Sequence, residues 1–218
     1  MSTLNDSTNG DVDNGAEPED VGWTEFAWYV GGHSAYFLAM GIQSVVYPFL
    51  VTFVLQMDAD WIGIAQMFTM LPMFGLVLFG GMTADRTELR MHLIRLQFLA
   101  AMPMLVLATL VLTDTLTYTG LVLCGTATGC VSAFVMPARD SLLSRVALRS
   151  PSGDIQQAVS VITGIQFAAQ LFGILIGRFA PAVGAGFILL SMVLGFMLAA
   201  FCTSHVRPAP PGVRARRR

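Results

Sequence analysis

Two series of polar and aromatic residues, set inside otherwise apolar stretches, are the part of this sequence best suited to chemistry. His33, Tyr36, Met40, Gln43 and Tyr47 recur at alternating intervals of three and four, which places them on one face of a helix. Gln156, Ser160, Thr163, Phe167 and Gln170 repeat the pattern. Such a face offers amide and hydroxyl hydrogen bonds beside aromatic rings, the means of holding an amphipathic small molecule along a pathway. The same residue types also serve as hydrogen-bonded glue between helices, and spacing alone does not separate the two uses. His33 is the one histidine well inside an apolar run, and its imidazole could carry a proton near neutral pH. A packed, hydrogen-bonded histidine is the competing reading, and Glu25 and Asp140 are border alternatives for the proton. Gln66, Thr69, Gln97 and Thr126 are weaker pathway candidates.

The string Gly80-Gly81-Met82-Thr83-Ala84-Asp85-Arg86-Thr87-Glu88-Leu89-Arg90 carries chemistry of position instead of catalysis. Glycine at a helix end permits a tight exit, Asp85 accepts hydrogen bonds or faces a helix amino terminus, and Arg86 and Arg90 hold carboxylates at neighbouring helix ends. With Arg139 and Asp140, a charge cluster is expected at this end that can lock one conformation. No nucleophile with a convergent base, no phosphate loop and no metal-ligand cluster is legible, so neither an enzyme nor a cofactor is expected. Cys124, Cys130 and Cys202 lie in or at the ends of apolar runs without metal-ligand spacing and read as small packing residues.

The elements that must position these residues are six apolar runs, read as Trp28 to Val54, Trp61 to Gly81, Met91 to Leu112, Leu116 to Met136, Ile155 to Ile176 and Val183 to Cys202. Each is long enough to cross a bilayer as a helix, which satisfies its own backbone where water cannot. With 55% hydrophobic and only 12% charged residues among 218, the chain is too sparsely charged to coat a soluble domain of this size. Nucleic acid is not expected as a partner. The fold class is therefore all-α and polytopic, with six transmembrane helices over 23–202. Residues 1–22, rich in Asp, Glu, Asn, Gly and Ser, read as a disordered acidic tail. They lack the basic start and short apolar core of a secretory signal, so the first run is expected to remain in the protein. Residues 203–218 mix Pro with Arg, as in an extended tail drawn to anionic lipid.

Charge is placed unevenly. Seven of the fourteen acids fall in the first 25 residues, and every basic residue is Arg, none before Arg86. Eleven of the twelve arginines fall on one side of a six-span topology, Arg178 being the exception. By the positive-inside rule that side is cytoplasmic, so both termini are expected in the cytoplasm of a cell whose inner (plasma) membrane holds the protein. Arg without Lys suggests a GC-rich, prokaryotic genome.

Gly81-x-x-x-Asp85-Arg86 followed by Arg90 resembles the signature loop between the second and third helices of the major facilitator superfamily. Trp61-Ile62-Gly63, Leu71-Pro72 and Pro137-Ala138-Arg139 with Leu142-Leu143 resemble its bacterial exporter branch, which handles siderophores and drugs. Gly164, Gly173 and Gly177 resemble the glycine ladder of the family's proton-coupled antiporters, though glycines so spaced serve close helix packing in any membrane protein. The resemblance runs from Trp23 to about Cys202. It implies the amino-terminal six-helix half of that fold, a 3+3 helix repeat, exporting a small amphipathic solute by alternating access.

In that family the path lies between two six-helix halves, so a second six-helix unit is implied, as a homodimer or a separately encoded subunit. In a homodimer Asp154 would oppose Asp85 and repel it, which favours a heteromeric partner or a truncated chain. The alternative function is a non-transporting binding or assembly subunit of a larger membrane complex.

Overall fold

Every long apolar run forms a helix. A computed structural model of the chain describes residues 19–86, 88–148 and 155–208, with side chains for 23–83, 88–146 and 156–208. Helix α1 (Glu19–Phe49) continues through a π-helical stretch, Leu50–Val54, and is followed by α2 (Ala59–Arg86), α3 (Leu89–Leu112), α4 (Tyr118–Leu148), α5 (Ile155–Gly177), the single turn α6 (Ala180–Val183) and α7 (Ala185–Ser204). All but α6 are long and apolar enough to cross a membrane. At about 1.5 Å per residue, even α7, with 20 residues, matches the roughly 30 Å of hydrocarbon.

The helices outrun the expected segments at the arginine-bearing end. Helix α1 begins at Glu19, inside the region read as acidic tail. Helix α4 continues past Met136 to Leu148, with Pro137 in its interior. That proline and the following arginines suggest a loop, but Ala138, Leu142 and Val146 repeat at helical spacing and are all buried. They pack with Tyr29, Leu89, Leu93, Ile162 and Val206 in a small cluster of their own, so burial of one helix face outweighs the proline. Residues 203–208 likewise depart from the expected tail. Val206 is buried, His205 stacks on Trp28 with centroids 4.4 Å apart, and Arg207 pairs with Glu25 at 3.8 Å. The rest of the basic tail lies outside the described residues.

Contacts order the helices as a curled row: α2 packs on α4, α4 on α3, α3 on α7, α7 on α1 and α1 on α5, while α1 and α4 touch lightly across the middle. The central helices share a core around Ile42, Val46, Leu50, Met104, Leu107, Leu189, Met192 and Phe196. The row's ends, α2 and α5, are the least buried spans. Each is held by close backbone approach. A Cβ on Gly129 of α4 would overlap the carbonyl of Thr69 in α2, one on Gly41 of α1 would overlap the Gln170 carbonyl in α5, and one on Gly173 of α5 the Leu38 carbonyl in α1.

Candidate solute-binding site

Between the row's two ends lies a cavity of about 250 Å³, walled by four helices. Helix α1 contributes Met40, Gln43, Ser44 and Tyr47; α2 contributes Gln66, Thr69, Met70 and Met73; α4 contributes Thr128, Gly129 and Ser132; and α5 contributes Gln170. Gly129 lets α2 approach α4 closely enough for Thr69 and Thr128 to line one wall. The hydroxyls of Ser44, Thr69 and Thr128 donate to Gly41, Ala65 and Cys124 carbonyls of their own helices at 2.7, 3.0 and 2.8 Å. Gln43 Oε1 is buried without a hydrogen-bond partner. The Tyr47 hydroxyl makes no hydrogen bond of good geometry, although Thr128 and Gln43 lie beside it.

A second polar cluster sits towards the arginine-bearing end and joins α1 to α4. Arg139, only 2% exposed, lays its guanidinium 4.0 Å from the centroid of the Tyr36 ring and 5.6 Å from that of Phe37. Its Nη1 donates to the His33 carbonyl at 3.2 Å, and the Tyr29 hydroxyl donates in the opposite direction to the Arg139 carbonyl at 3.2 Å. Arg139 Nε and Nη2 meet no acceptor. His33 Nε2 donates to Gln166 Oε1 at 3.1 Å, and the Tyr36 hydroxyl donates to Ser132 Oγ at 3.4 Å, which links this cluster to the cavity wall.

The expected pathway residues thus separate. Met40, Gln43, Tyr47 and Gln170 converge on the cavity, whereas His33 and Tyr36 belong to the buried cluster behind it. Gln156, Ser160, Thr163 and Phe167 lie exposed on α5, outside the cavity lining, and Phe167 is 59% exposed. Gln97 pairs with Thr203 between α3 and α7, 3.4 Å apart, away from the cavity. Ser44, Met70, Met73, Thr128 and Ser132 line the cavity and were not singled out from the sequence. For Ser132 and Thr128 the available signal was their own spacing of four, which puts both on one face of α4.

Only part of the charge cluster expected around Asp85 falls within the described residues. Arg139 turns into the bundle, Asp140 faces outward, and Arg90 donates to the Ser204 carbonyl. The reason is helical register: with α4 continuous, Arg139 occupies the face directed at α1. The side chains of Asp85 and Arg86, and Asp154 entirely, lie outside the described residues. Gly81 has open space where a Cβ would stand, and its neighbour Gly80 makes the close contact, against the Ala133 carbonyl. Gly173 and Gly177 pack on α1, but Gly164 meets nothing within 4 Å, so the three do not form one packing ladder.

Six membrane-length helices, four of them walling a mainly apolar cavity with a few polar groups, define a multi-pass helical membrane protein. No protein-family model, curated protein or solved structure matches the chain.

Proposed function

We propose that the chain is one six-helix half of an alternating-access transporter of the major facilitator type, exporting a small amphipathic solute with a second six-helix unit. The observation that carries this reading is the position of the cavity: it lies between the two least buried helices, on the side where the bundle has no further helix of its own. The amide and hydroxyl groups in the cavity wall and an exposed series of Ser160, Thr163 and Gln156 are costly against lipid, so this side calls for protein or water as its neighbour. Helix adjacency supports the 3+3 repeat. Exchanging α1, α2 and α3 for α4, α5 and α7 turns the α2–α4 contact into α5–α1 and the α3–α4 contact into α7–α1, and leaves α3–α7 unchanged. Internal repeats with the site at their junction are the usual design of secondary transporters.

Two measurements test the reading together. The protein is sized in native lipid discs and assayed for solute flux in proteoliposomes, alone and with any six-span membrane protein that co-purifies. A twelve-span assembly with saturable flux is expected. A stable monomer that binds a ligand and carries no flux would instead support the binding or assembly subunit.

A further inference from the structure

From the polar atoms of the cavity between α1, α2, α4 and α5 we infer the class of its solute: an uncharged molecule with an apolar body and N–H or O–H donors. The assignment rests on the reading of this cavity as a solute site. Among the described residues no Asp, Glu, Lys, Arg or His side chain lines it. An ion brought there would be desolvated without a counter-charge, which excludes tight binding of either sign. The nearest buried cation, Arg139, stands behind Tyr36 and Ser132, and its unpaired nitrogens are closed to the cavity. It can neither pair with an entering anion nor favour an entering cation.

Donors are favoured by what three hydroxyls of the wall already spend. Ser44, Thr69 and Thr128 have committed their hydrogens to backbone carbonyls, so each turns only lone pairs to a ligand. Gln43 Oε1, on a side chain 6% exposed, has no hydrogen-bond partner of good geometry. An acceptor left unmatched in a dry site is penalised, and a ligand N–H or O–H relieves that penalty. Met40, Met70 and Met73 supply an adaptable apolar wall for the body of the solute.

The test uses the full chain in nanodiscs and four fluorescent probes of one shape, read above empty discs. Dansyl amide is neutral with two N–H donors, its N,N-dimethyl amide is neutral without donors, dansylglycine is anionic and dansylcadaverine is cationic. Saturable binding of dansyl amide is expected, with the other three at least roughly fivefold weaker, the effect of one or two lost hydrogen bonds or a desolvated charge. Gln43→Leu should weaken dansyl amide towards its dimethyl form and leave the latter unchanged. Equal or tighter binding of a charged probe, undiminished binding of the dimethyl amide, or no saturable binding of dansyl amide overturns the assignment. The wild-type series needs no variant to fold. Because binding is read without a gradient, absence of flux would sink transport and leave the solute class standing. Flux carried by a charged probe in proteoliposomes would do the reverse.

Discussion

The guanidinium of Arg139 rests face-on against the ring of Tyr36, 4.0 Å from its centroid, in the interior of the contact between α1 and α4. A buried cation is held here by an aromatic face and one backbone carbonyl, while two of its nitrogens go without acceptors. The arrangement favours position over stability, since desolvating a charge costs more than a single neutral acceptor returns. It also closes the seam between α1 and α4 at the arginine-bearing end. Tyr29 and Arg139 each donate to a backbone carbonyl on the other helix.

Arg139→Met should therefore leave thermal stability in detergent unchanged or raise it, because a buried ion is replaced by an apolar side chain of similar length. Tyr36→Leu should do the opposite, removing the ring from beneath the charge at a cost of about 2 kcal/mol or more. Tyr36→Phe, which keeps the ring and loses the bond to Ser132, should cost about 1 kcal/mol. Chemical unfolding of the three variants in one detergent checks the order, and a large destabilisation by Arg139→Met would refute the account.

The glycines make a sharper contrast, since three in the same helix of α5 have different surroundings. Gly173→Ala places a methyl into the backbone of α1 at Leu38 and Gly41, and overpacking of this kind typically costs about 1–3 kcal/mol. Gly164→Ala meets open space and should stabilise α5 by about 0.5–1 kcal/mol through helix propensity. Unfolding midpoints of the two variants should move in opposite directions. A shared sign would mean that α5 is not seated on α1 as described.

Topology is open to a direct check. By the positive-inside rule the arginine distribution is expected to put both termini and the α2–α3 and α4–α5 connections on the cytoplasmic side, with the turns around Asp58 and Asp114 outside. Reporter fusions that are active only in one compartment should read cytoplasmic after Arg90 and after Cys202, and external after Asp58 and Asp114. A single external reading after Arg90 would invert the assignment.

The number and type of elements were legible because membrane spans are written in long apolar runs, and Gly173 and Gly177 of α5 announced close packing. Register at the arginine-bearing end was not. Pro137 and the charges at Arg139 and Arg145 read as a loop, yet in a helix packed against α1 and α3 the proline is tolerated and the arginine is carried inward. The cavity was half legible. The face from Met40 to Tyr47 could be read from periodicity, but the methionines of α2 look the same in sequence whether they face lipid or a solute. Only the crossing of α2 over Gly129 assigns Met70 and Met73 to the site.

The exposed polar series on α5 yields the prediction that bears most directly on a second unit. Ser160 and Thr163 are exposed, and the Thr163 hydroxyl is already satisfied by the Val159 carbonyl at 2.8 Å. Among the described contacts, replacing both with Leu removes only the exposed Thr163 bond within its own helix, so stability of the isolated protein should change by less than about 0.5 kcal/mol. If the face is covered by a second six-helix unit across a polar or water-filled path, the same double variant should lose flux and shift the sizing profile in lipid discs. If instead the face meets lipid, Leu at both positions should be neutral or favourable for insertion, with assembly unaltered. Equal flux and equal size in the Ser160→Leu, Thr163→Leu protein would remove α5 from the interface and leave α2 as the surface on which a partner must sit.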